Sequence, residues 1–290
     1  MKCPKCKKTH TVKHGYVHRR TGLTQRYLCK HCGYKFINDD GFKQFRTNPK
    51  IITAALDLRA KGLSLAEVVD HLGQHHNVKV SRKTVLDWQN KFGEKLHSFT
   101  QSLTPFLGLT YHADEMFARV SGTWNYLWSC IDYLTKFIVA HHFSVVRNDI
   151  ECTKFIGKVK TRTKNPPNEI HTDNSWDYYP AFRKHFPRNR KIHKHFPAWK
   201  HSFKNNPIER FFNTVKQRYK TLRTFDNTDS ASKFLCFYMV YYNFIRKHMS
   251  LNGITPAQAA KIELNLGKNR FMDLIRKAIY ILFNLKRWLC

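Results

Sequence analysis

The sequence predicts an α/β chain in which a mixed sheet flanked by helices follows a small metal-bound ribbon and a helical segment. Three observations carry that reading. Two C-x-x-C pairs, Cys3/Cys6 and Cys29/Cys32, open the chain; from about Asn48 apolar residues recur with helical period; and from Gly108 aromatic and β-branched runs give way to alternating helix and strand.

In the first element, 22 residues separate Cys6 from Cys29. Two residues between thiolates let both sulfurs of a tight knuckle reach one ion, and four sulfurs complete the tetrahedron of a structural Zn²⁺. Between the knuckles, "YVHRRTGLTQRYLC" reads as two short strands joined by a turn at Thr21-Gly22, and Gly33 stands where a positive φ is often needed. Residues 1–45 are therefore expected to form a zinc ribbon with Cys3, Cys6, Cys29 and Cys32 as ligands. A redox dithiol or plain buried cysteines would use the same residues, and His10, His14, His18 and His31 are alternative ligands; two pairs in one short basic segment favour zinc. Residues 1–50 carry 13 Lys and Arg against Asp39 and Asp40, which suits contact with DNA phosphates.

Residues 46–98 read as three helices. Ile51, Ile52, Ala55, Leu56 and Leu58 form an apolar stripe that stops at Gly62, and Ser64 with Glu67 gives a capping box for the second helix. The third starts at Ser81 with Val85, Trp88 and Phe92 inward, leaving Arg82, Lys83, Thr84, Asp87 and Gln89 to face outward. A polar, basic last helix resembles the reader of a helix-turn-helix, with Arg82, Lys83 and Thr84 as DNA contacts. A plain three-helix connector remains the alternative.

Residues 105–262 then change period. "GLTYHADEMFARVSG" and "TWNYLWSCIDYLTKFIVAHHFSVV" read as three consecutive antiparallel strands turning at Gly122 and at Leu134 to Lys136. A helix from Asp149 to Arg162, a short strand "EIHTD" and a helix near Tyr178 to His185 follow. Residues 263–290 close the chain with Phe271, Leu274, Ile275, Ala278, Leu282, Leu285 and Leu289 at helical spacing. Lys268, Arg270, Arg276, Lys277, Lys286 and Arg287 surround that stripe, so the expectation is a basic amphipathic helix packed within the protomer or across a dimer.

The charge balance narrows the function. With 51 Lys and Arg against 20 Asp and Glu the formal charge is +31, which points to a polyanionic partner, nucleic acid before an anionic membrane. The apolar stretch Ala278–Leu285 is far shorter than the roughly 20 residues of a spanning helix, and the polar N-terminus has no secretory core, so a cytoplasmic, nucleoid-associated protein is expected. Against this basic background the acids stand out. Asp114 is expected to end the first strand and Asp173 ends "EIHTD", while from Tyr178 to Phe225 a single acid, Glu209, stands among 13 Lys and Arg. Asp132 reads as a turn former, and Glu115, next to Asp114, is expected on the opposite face of the strand.

Asp114, Asp173 and Glu209, with 35 residues between the last two, resemble the acidic triad of retroviral-integrase-like DDE transposases. The surrounding words "YHADEMFARVSGTWNYLWSCIDYLTKFIVAHHFSVVRN", "IHTDNS", "NNPIERFFNTVKQRYKTLRTF" and "YYNFIRKHMSLNGITPAQAA" look like prokaryotic insertion-sequence transposases, in particular the family that includes insertion sequence six. The resemblance spans about residues 47–262, and the ribbon resembles those on some prokaryotic insertion-sequence proteins. It implies an RNase H-like catalytic core and a DNA strand-cleavage and strand-transfer activity that uses two Mg²⁺ ions, or Mn²⁺. Asp114 would bridge the ions, with Asp173 on one and Glu209 on the other. Partners would be the element's terminal repeats and target DNA, and joining two ends favours a homodimer. Lys216, with Arg218 and Lys220 beside it, is expected on phosphate: seven residues beyond Glu209, Lys216 shares its helix face about 10.5 Å along the axis. The alternatives are an RNase H-like nuclease or resolvase, and a non-catalytic zinc-ribbon regulator.

Overall fold

The computed structural model describes residues 2–19, 22–37, 40–163, 166–196, 206–221 and 225–285. Thr21 of the expected ribbon turn and Lys286, Arg287 and Leu289 of the expected C-terminal stripe lie outside them.

At the N-terminus, β1 (Thr11–Arg19), β2 (Gly22–Cys29) and β3 (Lys35–Ile37) form an antiparallel sheet in that order. The third strand is not foreseen by the sequence reading; three residues carry too little alternation to show. The two knuckles repeat one backbone design. Lys7 N–H donates to the Cys3 carbonyl and Gly33 N–H to that of Cys29, both at 2.9 Å, with φ of 64° and 67° at the donors. Few apolar side chains support this sheet: its described core is Cys3, Cys29 and Phe36.

The helical segment forms because each start and stop is specified. Asn48 caps α1 (Pro49–Lys61), accepting from Lys50 N–H, and Gly62 ends it at φ 107°. The capping box of α2 (Leu65–His76) is present in both directions between Ser64 and Glu67. Ser81 caps α3 (Arg82–Gln101), which runs beyond the expected Phe92 because Leu96 and Phe99 continue its buried stripe. One expectation fails here: Gln89 does not face outward but is buried, its Oε1 accepting from Arg59 Nε at 3.0 Å across α1 and α3. A glutamine on the boundary of a helix stripe turns inward when a buried guanidinium needs an acceptor.

The second sheet has the order β6-β5-β4-β7-β8. Strands β4 (Thr110–Val120), β5 (Thr123–Asp132) and β6 (Ile138–Ser144) form an antiparallel meander, and β7 (Glu169–Asp173) and β8 (His193–Phe196) continue it parallel to β4. This is the mixed α/β sheet flanked by helices that the sequence predicts. Ser121 and Gly122, at φ 46° and 82°, make the first hairpin, and Asp132 Oδ2 accepts from Thr135 N–H in the second turn. Strand β8 is likewise not foreseen, since "HKHF" has no β-branched residue. Helices α4 (Asp149–Arg162) and α5 (Tyr178–His185) cover one face through Phe155, Ile156, Tyr178 and Phe182 against Trp128 and Tyr111. The other face carries α6 (Asn206–Thr221) and α7 (Thr228–Val240), and its core is continuous with that of α1 to α3. Gly93 admits this contact: a Cβ there would stand 2.9 Å from Phe237 Cβ.

A turn of π-helix at Tyr241–Ile245 leads to α8 (Pro256–Ala259) and α9 (Arg270–Leu285). Asn243 in that turn pairs with both backbone groups of Ile138, at 2.9 and 3.0 Å. Phe271, Leu274, Ile275 and Ala278 of α9 are buried in the same core, against α1 and α3. Of the two packings expected for this helix, the described one is within the protomer. Among the described residues no helix is long and apolar enough to cross a membrane.

Candidate active site

Strand geometry decides where the acids meet. In the parallel ladder between β4 and β7, Tyr111 stands opposite Ile170 and His112 opposite His171. Two further residues along each strand bring Asp114 level with Asp173. Side chains alternate along a strand, so Asp114 and Asp173 share a face with His112 and His171, whose rings touch at 4.8 Å. Met116 and Ala118 continue that face into the core under α6 and α7. Asp114 therefore lies in the middle of β4, not at its end as expected; the paired strand extends to Val120 because β5 follows it all the way.

Carboxylate oxygens of Asp114, Glu115 and Asp173 lie within 4.8 Å of one another. Glu115 does occupy the other side of β4, where Tyr178 donates to its Oε2 at 3.1 Å and Arg147 Nε to its Oε1 at 2.6 Å. The same guanidinium stands 4.0 Å from Asp173 and 3.7 Å from Asp177 and donates to Ser175 Oγ at 3.0 Å. Ser175 N–H in turn donates to Asp173 Oδ1 at 3.0 Å. Glu209, in the first turn of α6, stands outside this close cluster and acts on it through its charge. Burial, then Glu115, then Asp173 and Glu209 push the Asp114 carboxyl up to about 8, against one stabilising hydrogen bond from Glu115 N–H. The donors are hard oxygens whose mutual repulsion a divalent cation would relieve, and the residues present fit Mg²⁺.

The expected cations separate by exposure. Lys216 and Lys220 are exposed on α6. Arg218 is turned inward, its Cδ 2.9 Å from the position of a Cβ on Gly62. Arg82 and Lys83 are exposed at the start of α3, whereas Thr84 is half-buried and bonded to the Ser81 hydroxyl at 2.9 Å. At the ribbon, Sγ atoms of Cys3 and Cys32 lie 3.6 Å apart and those of Cys6 and Cys29 3.5 Å, and all four fall within 4.8 Å. Burial opposes ionisation of Cys3, yet the N–H groups of Cys6 and Lys5 bring its thiol down to about 7. Four converging sulfurs at this spacing fit Zn²⁺.

Residues 108–248 match a protein family described as a DDE domain. That segment contains Asp114, Asp173 and Glu209. Over that segment the chain resembles the DDE transposases, which are DNA phosphoryl-transfer enzymes. It is also 25% identical over 216 residues to an uncharacterised protein of Methanocaldococcus jannaschii, covering 73% of this chain and 94% of that one. Among solved structures it is similar to the HTLV-2 integrase catalytic core domain in complex with magnesium (16% identity, 55% of this chain and 98% of that one, TM-score 0.41). A simian T-cell lymphotropic virus intasome chain is similar at 15% identity, 72% of each chain and TM-score 0.42.

Within residues 108–248, sequence reasoning places Glu115 on the opposite strand face from Asp114 and sets it aside. Adjacency of two acids in a chain this basic is the available signal for Glu115. Nothing in the sequence joins it to Arg147, 32 residues away, or to Tyr178, 63 away. Asn148, next to Arg147, caps α4, accepting from Glu151 N–H at 3.0 Å.

Proposed function

We propose that the chain is an insertion-sequence transposase that binds the ends of its element and carries out DNA strand cleavage and strand transfer through Asp114, Asp173 and Glu209. The observation that supports this most is the meeting of Asp114 and Asp173 on one sheet face, where burial first, and then the neighbouring carboxylates including Glu209, keep Asp114 from ionising freely. These carboxylates would hold the divalent ions. When bound, such ions supply Lewis-acid polarisation and charge stabilisation at the attacking and leaving oxygens of in-line phosphoryl transfer.

The chain's own residues prepare that pocket. Ser175 N–H fixes the rotamer of Asp173, and Glu115 N–H fixes that of Asp114. Arg147 neutralises Glu115 and borders Asp173 at 4.0 Å, so Asp114 and Asp173 would be the acids of this cluster that take metal. Lys216 would hold a phosphate beside Glu209, and Arg82, Lys83 and Lys220 extend the basic surface that offsets repulsion between the acids and incoming DNA. The four-cysteine ribbon would be a zinc-held contact to DNA, and a homodimer would bring two element ends together at the nucleoid.

The test is full-length protein with labelled element-end duplex, target DNA and Mg²⁺. Cleaved ends and joined products are expected from the wild type, with both lost in Asp114→Asn, Asp173→Asn and Glu209→Gln while end binding survives. Cleavage without joining of a pre-cut end would indicate a nuclease or resolvase. Wild-type products from all three variants would refute the assignment. Sedimentation as a monomer even with end DNA would remove the dimer.

A further inference from the structure

Away from the acids, three ligand-type side chains from distant parts of the chain meet beside a cleft of about 570 Å³. His97 comes from α3, His141 from β6 and Cys236 from α7, and one ligand atom of each lies within 4.8 Å of the others. Cys236 Sγ is 3.9 Å from His141 Nε2, and the rings of His97 and His141 meet edge to face at 5.2 Å. We propose that His97, His141 and Cys236 form a second thiophilic metal site, of zinc type, which ties α3 to the catalytic sheet.

The donor chemistry selects the ion. Two imidazoles and a thiolate are too soft for Mg²⁺ or Ca²⁺ and suit Zn²⁺. Burial, with Lys158 and Arg162 nearby, brings His97 down to about 4, and burial with His97 and Lys158 holds His141 well below its ordinary value. Both rings are therefore neutral near pH 7 and offer lone pairs. Cys236 is a thiol there, since burial lifts it to about 11, although Lys158 favours its thiolate. Binding replaces the S–H bond by a sulfur–metal bond and releases one proton to solvent.

Ligand atoms need to draw together from their present separations to the 2.0–2.3 Å reach of a zinc ion, roughly a rotamer adjustment. The cleft, lined by Gln101, Lys158 and Thr161, leaves a side open for a water as the fourth ligand. Lys158 Nζ donates to the His141 carbonyl at 3.5 Å and to His142 Nδ1 at 3.0 Å, so its flexible stem can retreat as the ion enters. Because α3 begins with the exposed Arg82 and Lys83, occupancy would set how rigidly those residues are held relative to the acids. This holds whether or not the chain transposes DNA.

The experiment removes the ribbon's contribution first. Full-length Cys29→Ser/Cys32→Ser protein, stripped of metal, is titrated with ZnCl₂ alone against a chromophoric chelator. One equivalent bound per chain is expected, with a rise in Tm, and both disappear on adding Cys236→Ser or His141→Ala. Co²⁺ in the same background should give tetrahedral d–d bands and a thiolate charge-transfer band that Cys236→Ser abolishes. No zinc bound in the ribbon-free protein, or an equivalent that persists in the Cys236→Ser variant, overturns the proposal. Should His141→Ala fail to fold, the near-isosteric Cys236→Ser, checked by circular dichroism, decides.

Discussion

Arg147 is the residue on which the arrangement of acids turns. Glu115 keeps only 5% of its side chain exposed, so its charge depends on the guanidinium at 2.6 Å and the Tyr178 hydroxyl. Breaking a buried ion pair from one side leaves an uncompensated charge, which costs about 3–5 kcal/mol; with Arg147 itself 33% exposed, about 2–3 kcal/mol is the appropriate expectation for Arg147→Met. Glu115→Gln made in the same chain removes the orphaned charge and should recover most of that loss. Urea denaturation of the four chains of this double-mutant cycle measures the coupling; additive losses would mean that the two side chains stabilise the fold independently. Arg147 also spans Asp173 and Asp177, so the single variant should disorder the metal pocket as well as weaken the fold. A strand position read only by alternation, as with Glu115, gives the correct face yet misses this, because the partners come from two other elements.

Among the elements, α2 offers the cleanest test of local encoding. The N–H of Ser64 donates to the Glu67 carboxylate, and Glu67 N–H to the Ser64 hydroxyl, at 2.6 and 3.2 Å. Ser64→Ala removes one half of the box and should cost about 1 kcal/mol. The backbone hydrogen bond from Ser64, then its side chain, hold the Glu67 carboxyl below its ordinary value. The sign follows: the folded state binds this proton less readily than the unfolded chain, so the stabilisation is complete above the unfolded value near 4.5 and is lost as pH falls through the lower folded one. The stability difference between wild type and Glu67→Gln, followed by chemical denaturation, should therefore shrink as pH drops below about 4.5; a difference that grows would contradict the box. Elements of this kind are legible in the sequence because their signals are local: caps, Gly62, the Gly122 hairpin and the α4 boundaries all stand where the residues place them. Strands β3 and β8 are not, since three or four residues carry no period and take their conformation from the neighbour they pair with. Site residues divide likewise. Asp114 and Asp173 show as acids in a basic chain, but the inward turns of Gln89 and Arg218 depend on contacts that only the assembled fold provides.

For the whole molecule, the excess of 51 cationic over 20 anionic side chains needs a spatial account, because exposed charge that is not paired weakens the compact state unless a polyanion uses it. Exposed cations stand, among other places, at Lys216 and Lys220 on α6, the helix that carries Glu209, and at Arg82 and Lys83 at the entry of α3. If both groups contact DNA, they should do so differently. A lysine on phosphate contributes counterion release and no sequence information, so Lys216→Ala should weaken binding to element-end and random duplex alike and reduce the slope of log K against log salt by about 1. A side chain at the start of a helix that enters the major groove touches base edges, and its loss should cost about 1–3 kcal/mol on the element end while leaving random duplex nearly unchanged. Arg82→Ala is the variant for that comparison, since Arg82 is exposed and Thr84 is already engaged by Ser81. Fluorescence anisotropy with both duplexes over a salt series supplies the affinities. A loss for Arg82→Ala that is equal on the two duplexes would place α3 on the phosphate backbone, and sequence reading would then have to come from the ribbon.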